Sequence, residues 1–304
     1  MTIESLLKDT KYKEKRVLEN LICHFQNIKR EELRTSLDDE ISENTLNQIN
    51  KAYDDFVIQK KPLEYVLGYV EFMNNQFKID ARALIPRPET EYMIQAVNEY
   101  VVSLKQLTPQ KCGVWSLATL FDIGTGCGVL WLSVILHNPD FFQKAYLSEY
   151  IDDTLSLAQE NYEIFKPRLW STKVNLVKSN LLSFLDDKIK TPRPSDTPLQ
   201  KGSNVILIAN LPYIPDETFD TNVWDNVKNR EPRPAFVWWD DGLDYYREMF
   251  QQIFDYKIQP IMFLEMMTRQ VDILRQEFWD KINFEEVKTF HFNIRIVKAQ
   301  LKSV

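Results

Sequence analysis

Cysteine and histidine are scarce in this chain of 304 residues, which has only three of each. The cysteines form no Cys-x-x-Cys pair, so we expect neither a zinc site nor a disulfide framework, and a reducing compartment fits. The adjacent pair Cys23-His24 does not change this expectation, because neighbouring residues on a helix point apart. The sequence therefore predicts no metal site.

Long apolar runs are also absent. No window approaches 18 consecutive apolar residues, and the N-terminus from Met1 to Leu7 lacks the apolar stretch of an export signal. Early acidic residues such as Glu4 and Asp9 disfavour an organellar transit peptide. These absences predict a cytoplasmic protein that does not enter a membrane.

Positive charge is in deficit, since 37 lysines and arginines face 44 aspartates and glutamates, which gives a net charge of −7. Nucleic acid attracts basic surfaces, so an enzyme that grips DNA or RNA with its whole surface is disfavoured and a protein substrate fits better. The length and the apolar content of 44% allow one large catalytic domain and one small companion, each with a core.

Glycine is scarce too, with seven residues, yet three fall in one short segment. An apolar stretch ending at Ile123 leads into a turn and then into a helical apolar pattern through Trp131 and Ile135. Glycines in such a turn let the backbone approach a ligand, and the helix N-terminus offers unpaired N–H groups. The predicted cofactor residues of this segment are Asp122, Gly124, Thr125, Gly126, Cys127 and Gly128.

By itself this turn fits a nicotinamide dehydrogenase, a flavoprotein, a methyltransferase or a tight βα connection without a ligand. A second acidic position favours a cofactor. A predicted strand through Tyr146 ends at Glu149, about 20 residues beyond the last glycine, where a carboxylate can accept hydrogen bonds from both hydroxyls of a ribose. The alternative is a solvated acid at a strand end.

Asn210-Leu211-Pro212-Tyr213 follows another apolar strand and so lies at the same carboxyl edge of the sheet. Two acceptors can grip the hydrogens of a planar NH₂ group and orient its lone pair, and an aromatic ring can pack on its plane. We assign these catalytic roles to the Asn210 side-chain carbonyl, the Pro212 backbone carbonyl and Tyr213, with Leu211 in the substrate site. The alternative is a turn with a packed aromatic ring.

These segments resemble those of a known family, the protein-(glutamine-N) methyltransferases that act on peptide chain release factors. The most specific segment, Leu84-Ile85-Pro86-Arg87-Pro88-Glu89-Thr90-Glu91, looks like the family's signature ahead of the catalytic domain. Further similar segments, in the family's order, are Pro62-Leu63-Glu64-Tyr65-Val66-Leu67-Gly68, Glu231-Pro232-Arg233-Pro234-Ala235, Asp241-Gly242-Leu243-Asp244-Tyr245-Tyr246, Phe263-Leu264-Glu265 and Gln270.

The chain departs from the family pattern at several positions. Leu211 stands where the family usually has a proline, which also makes the motif similar to that of ribosomal RNA adenine dimethyltransferases. Glu149 replaces a more common Asp and keeps the carboxylate, whereas Asn180 replaces an Asp near the adenine. An Asp of the family's last hairpin is missing near His291, although Arg295 fits its arginine.

The resemblance implies S-adenosyl-L-methionine as the cofactor and the glutamine of a Gly-Gly-Gln motif in a release factor as the substrate. It adds Asn180, Leu181 and Asn210 to the cofactor residues. It also implies that Arg87, Glu89 and Thr90 lie at the mouth of the substrate site; a structural ion pair is the alternative for Arg87 and Glu89. The expected partner is the release factor alone, without membrane or direct nucleic acid, and the expected state is a monomer.

The expected fold class is α/β, a Rossmann-like class I methyltransferase sheet with an N-terminal helical domain. Helical spacing of Leu18, Leu21, Ile22 and later residues predicts a helical module over 1–65, which the resemblance implies helps to hold the substrate. A broken alternation predicts a β-hairpin linker over 66–82, followed by the catalytic domain over 83–304. Its predicted strands lie near 117–123, 144–148, 172–177, 204–209, 259–264, 284–290 and 293–300.

Two other function classes stay open from the sequence. The same core could methylate the N6 amino group of adenine in DNA or RNA, because that group presents similar hydrogens to Asn210 and such enzymes flip the base against an aromatic ring. A binding protein that keeps the fold without catalysis is the third interpretation. The motif from Ile85 to Glu91 disfavours the adenine methyltransferase, and the intact glycines disfavour the binding protein without catalysis.

Overall fold

The structure is a computed structural model that describes residues 1–107, 118–169, 171–186, 205–215, 219, 230–236, 241–287 and 293–302. The polar, proline-containing stretch between Asp186 and Asn204, whose composition predicts a surface loop, falls almost wholly outside the described residues. His291 lies outside them as well, as do Leu117 and residues 288–290 of the predicted strands.

The first 67 residues form helices around a core of their own, as the helical spacing predicts. Leu18, Leu21, Ile22 and Ile49 are fully buried in this core. Ser42 caps the third helix by accepting a hydrogen bond from the backbone N–H of Thr45. The helices are α1 (Ile3–Lys8), α2 (Lys15–Gln26), α3 (Glu43–Val57) and α4 (Leu63–Leu67).

A hairpin follows, formed by β1 (Tyr69–Phe72) and β2 (Asn75–Lys78). Its turn residues Met73 and Asn74 both have positive φ, as in a tight hairpin turn. The apolar residues Val70, Phe72, Phe77 and Ile79, whose spacing gives the broken alternation, are buried and belong to the core that covers one face of the main sheet. The boundaries at residues 65 and 82 stay a prediction.

The described strands of the remaining chain form a seven-stranded sheet in the order β5-β4-β3-β6-β7-β9-β8. Neighbouring strands from β5 to β7 are parallel, whereas β9 is antiparallel to both β7 and β8. The strands are β3 (Ala118–Ile123), β4 (Phe142–Glu149), β5 (Lys173–Lys178), β6 (Val205–Ala209), β7 (Ile261–Met267), β8 (Ile282–Val287) and β9 (Ile294–Leu301).

Helices cover both faces of this sheet. Side chains alternate along a strand, so Leu120 packs into the core on one face and Phe121 into the core on the other. The first core contains residues of α5 (Glu91–Leu107), α6 (Val129–His137) and α7 (Asp152–Phe165), and the second contains residues of α8 (Asp244–Asp255) and α9 (Thr268–Glu277).

The predicted fold class is therefore confirmed, with strand ends that shift by a few residues. The largest shift concerns β7, which runs through Met267 and so carries Glu265 inside the strand. Among the described residues, no helix has the length and apolarity needed to cross a membrane.

Candidate active site

A cavity of about 340 Å³ lies at the carboxyl edge of the parallel strands, the usual place for ligands in open α/β sheets. It brings together residues that the sequence assigns to both cofactor and substrate: Arg87, Thr90, Gly124, Thr125, Gly126, Cys127, Glu149, Asn180, Leu181, Asn210, Leu211 and Pro212. Four other predicted residues, Glu89, Asp122, Gly128 and Tyr213, are not among those that line it.

The glycine segment forms a tight loop between β3 and α6. The backbone N–H groups of Gly124 and Thr125 both donate to the Ser148 carbonyl at 2.9 and 3.0 Å, which ties the loop to β4. Gly124, Gly126 and Gly128 all have positive φ, a conformation that favours glycine. The loop therefore presents backbone rather than side chains to the cavity.

Asp122 lies beneath this loop instead of in the cavity wall. Its carboxyl group is fully buried, and its Oδ2 accepts a hydrogen bond from the Thr125 hydroxyl at 2.8 Å. Burial raises the pKa of Asp122 to about 7, and the bond from Thr125 offsets part of that effect. Asp122 thus holds the loop from below.

Asn161 on α7 supports the loop from a third side, which sequence reasoning missed. Its amide group exchanges two hydrogen bonds with the backbone of Lys78 in the hairpin, at 2.8 and 2.9 Å, and donates to the Cys127 carbonyl at 2.8 Å. The side chain is completely buried. A buried Asn on an apolar helix face carries no local sequence signal of such a role.

Glu149 ends β4 beside the glycine loop, as predicted. Its Oε1 accepts hydrogen bonds from the backbone of Tyr150 and Ile151 at 2.8 and 3.1 Å, and its Oε2 accepts one from Gly126 at 3.1 Å. Burial raises the pKa of this carboxyl group, and these three bonds counteract the rise. A carboxylate has about four acceptor positions, so one position on Oε2 is left for a ligand hydroxyl.

Asn180 lines the cavity and has a partner that the sequence did not suggest. Its amide nitrogen donates to the Glu248 carboxylate on α8 at 2.6 Å, which leaves its carbonyl oxygen as an acceptor on the other side. Leu181 follows with positive φ and is buried. Asn180 can therefore still accept a hydrogen bond from an amino group, as an Asp would.

The Asn210 segment lies at the end of β6, beside the end of β3 that leads into the glycine loop. The Asn210 amide nitrogen donates to the Thr90 hydroxyl at 3.3 Å, so the signature segment and the motif are in direct contact. The Tyr213 hydroxyl donates to Glu265 Oε1 at 3.0 Å, away from the cavity lining. Packing of the Tyr213 ring on a substrate amide stays a prediction.

Arg87 lines the cavity and forms an ion pair with Glu231 at 2.8 Å. The Glu231 carboxylate also accepts a hydrogen bond from the backbone N–H of Ile85 at 3.1 Å. The Glu231 side chain is only 1% exposed, whereas that of Arg87 is 34% exposed. Arg87 thus both lines the cavity and joins the signature segment to the loop at 231–236. For Arg87, the alternative of a structural ion pair is therefore present in the structure, and its partner is Glu231.

Two further residues hold the motif loop in place. Gln270 is buried and donates to the carbonyls of Tyr213 and Asp241 at 2.7 and 2.8 Å. Gly242 has a φ of +71°, and a Cβ there would meet the Tyr213 carbonyl oxygen at 2.3 Å. The resemblance includes both residues, but their role as supports of Tyr213 needs the tertiary structure.

No individual role is predicted from the sequence for the other lining residues, although five of them, Leu84, Pro86, Pro232, Ala235 and Tyr245, lie in segments that resemble the family. They are mostly apolar or backbone contributors that complete the wall: Ala83, Leu84, Pro86, Val129, Leu130, Ser148, Tyr150, Ile151, Thr154, Ser179, Pro232, Ala235 and Tyr245.

Curated relatives of this chain include a release factor glutamine methyltransferase from Bacillus cereus, 28% identical over 238 residues, covering 77% of this chain and 73% of that protein. A protein of the same name from Francisella tularensis is 26% identical over 291 residues, and the aligned region covers 93% of this chain and 89% of that protein. Among solved structures, the N-terminal domain of human METTL16 in complex with SAH covers 96% of this chain and 97% of its own, with 14% identity and a TM-score of 0.48. No family model matches the chain. By sequence, the chain therefore resembles the release factor glutamine methyltransferases, a family of enzymes, over most of its length, which confirms the resemblance found in its motifs.

Proposed function

We propose that this protein transfers a methyl group from S-adenosyl-L-methionine to the side-chain amide nitrogen of the glutamine in the Gly-Gly-Gln motif of a peptide chain release factor. The observation that carries the proposal is the single cavity that joins the glycine loop and Glu149 to Asn210, Leu211 and Pro212. The names of the curated relatives agree with it. A cytoplasmic location and a monomeric state belong to the same proposal.

The donor set of the cavity fits the adenosine part of this cofactor. The free position on Glu149 Oε2 suits one ribose hydroxyl, and a bond to the second hydroxyl requires exchange of one backbone bond. The Asn180 carbonyl suits the amino group of the adenine, because Glu248 holds the amide nitrogen. When bound, the cofactor supplies an electrophilic methyl group on a positively charged sulfur.

The residues across the cavity suit an amide substrate. The Asn210 nitrogen is engaged by Thr90, so its carbonyl oxygen can accept one amide hydrogen, and the Pro212 carbonyl can accept the other. Gripping both hydrogens turns the nitrogen lone pair toward the methyl group. The bound cofactor would supply the methyl group for an in-line displacement, while Asn210 and Pro212 hold the substrate nitrogen, which afterwards loses a proton to water. Orientation and exclusion of water carry most of the rate.

The test is transfer of a labelled methyl group from S-adenosyl-L-methionine to a purified release factor. Controls are a factor with Gly-Gly-Gln→Gly-Gly-Ala, total RNA and total DNA. Label on the wild-type factor alone supports the proposal. Label on nucleic acid identifies an adenine methyltransferase instead, and cofactor binding without any labelled product identifies a binding protein; either result contradicts the proposal.

A further inference from the structure

The buried carboxyl group of Glu265 lies directly behind the Asn210 motif. Parallel pairing of β6 with β7 places Ala209 beside Leu264, so Asn210, the first residue after β6, neighbours Glu265 inside β7. Glu265 is 1% exposed. Its side chain does not line the cavity, and none of the catalytic roles assigned above uses it.

Three residues of the motif are connected to Glu265. The Tyr213 hydroxyl donates to its Oε1 at 3.0 Å. The Tyr246 hydroxyl donates to its backbone carbonyl at 2.5 Å and accepts the N–H of Leu211 at 3.4 Å. The Asn210 amide donates to the Thr90 hydroxyl at 3.3 Å, and both side chains lie near enough to Glu265 to affect its pKa. Glu265 therefore supports Asn210, Leu211 and Tyr213 from behind the cavity wall.

The second carboxyl oxygen, Oε2, is buried and has no partner within normal hydrogen-bond geometry. Burial raises the pKa of this carboxyl group and the nearby Glu89 adds to the rise, while the side chains of Thr90, Tyr213 and Asn210, near enough to act as donors, oppose it. An ionised carboxylate can only accept hydrogen bonds. The groups around it must therefore turn donors toward it.

We propose that Glu265 is a positioning residue that sets the orientation of the Asn210 amide. The carboxylate draws the Thr90 hydrogen and the Asn210 NH₂ group toward itself. The Asn210 carbonyl oxygen is consequently turned into the cavity. The reverse orientation would place that oxygen beside the carboxylate, where the two would repel each other. Glu265 thus decides which end of the amide the substrate meets.

The inference rests on the proposed function for its substrate, and its test separates the two. Methyl transfer to the release factor and binding of S-adenosylhomocysteine are measured for the wild type, Glu265→Gln and Glu265→Asp. The matched control is Glu285→Gln, an exposed carboxylate on β8 that pairs with Lys298 and lies outside the cavity.

In Glu265→Gln, an NH₂ group replaces one acceptor, so both orientations of Asn210 become accessible. We expect kcat to fall roughly 100-fold, with an unchanged KM for the release factor and unchanged S-adenosylhomocysteine binding. Glu265→Asp keeps the charge and should recover part of kcat, and the control should match the wild type. A Glu265→Gln enzyme with wild-type kcat would overturn the inference while leaving the proposed function intact.

A measurement without turnover covers the case in which the wild type does not methylate the factor. The side-chain NH₂ signal of Asn210 in a ¹⁵N NMR spectrum is assigned by its loss in Asn210→Asp. We expect slow hydrogen exchange for this signal in the wild type and fast exchange in Glu265→Gln. Equal exchange in a folded variant contradicts the inference whatever the substrate is.

Discussion

The two sides of the cavity are built from different parts of the polypeptide. On the cofactor side, the glycine loop lines the cavity with its backbone. Its N–H groups donate to the Ser148 carbonyl and to the Glu149 carboxylate, which hold the loop in place. On the substrate side, Asn210 and Tyr213 are held by side chains from distant segments, Thr90 and Glu265 among them. Buried side chains support both sides, but those around the loop act mostly on its backbone, whereas those behind Asn210 and Tyr213 bond to the side chains themselves.

The largest expected effect concerns the substrate side. Asn210→Ala removes the acceptor for one amide hydrogen, and we expect kcat to fall by about 1,000-fold, the upper range for loss of one such group. Binding of S-adenosylhomocysteine, measured by calorimetry, should change little. Asn283→Ala, at an exposed position of β8, is the control. A proportional loss of cofactor binding and turnover would show that the two sides are not separable.

Glycine substitutions compare the two sides directly. Gly242→Ala places a Cβ 2.3 Å from the Tyr213 carbonyl oxygen at a positive φ, so we expect a loss of about 3 kcal/mol or more in the free energy of unfolding. Gly126→Ala also has a positive φ, but no atom lies within 4 Å of its added Cβ, and about 1 kcal/mol is expected. Urea unfolding measures both. Equal losses would mean that the close approach at Gly242 is relieved by a small shift.

The support beneath the glycine loop should show in the pH dependence of stability. Asp122 has a folded pKa of about 7 and an ordinary unfolded value near 4, so the folded state holds more protons between those pH values. Stability from this residue is therefore lost as pH rises. Relative to Asp122→Asn, we expect the wild type to lose about 2 kcal/mol between pH 5 and pH 8 in urea unfolding. A constant difference would contradict a raised pKa.

The smallest expected effect is at the cavity mouth. Arg87 is about one third exposed, so solvent screens its ion pair with the buried Glu231. A double-mutant cycle with Arg87→Met and Glu231→Gln should give a coupling of about 1 kcal/mol in thermal or urea unfolding. If the effects of the two substitutions are additive, the ion pair does not contribute to stability, and Glu231 stabilises the protein only through its hydrogen bond with the Ile85 N–H.

The sequence predicted the strands and the glycine loop well because their signals are local. Strand periodicity, a glycine cluster and an acid at a set spacing all lie within short windows, and every predicted strand is present in the described residues with shifted ends. The supports of the motif lie far apart along the chain. Thr90 and Asn210 are separated by 120 residues, so no window contains both.

By itself, the sequence determined the fold class, the residues at the carboxyl edge and the resemblance to a methyltransferase family. Only the tertiary structure decided which partners those residues have: Glu231 for Arg87, Glu248 for Asn180, and Glu265 for Tyr213. The physical reason is that backbone conformation and hydrophobic periodicity are encoded by near neighbours. Hydrogen-bond partners of buried side chains are chosen by the packing of whole elements, and these meet only when the sheet is assembled.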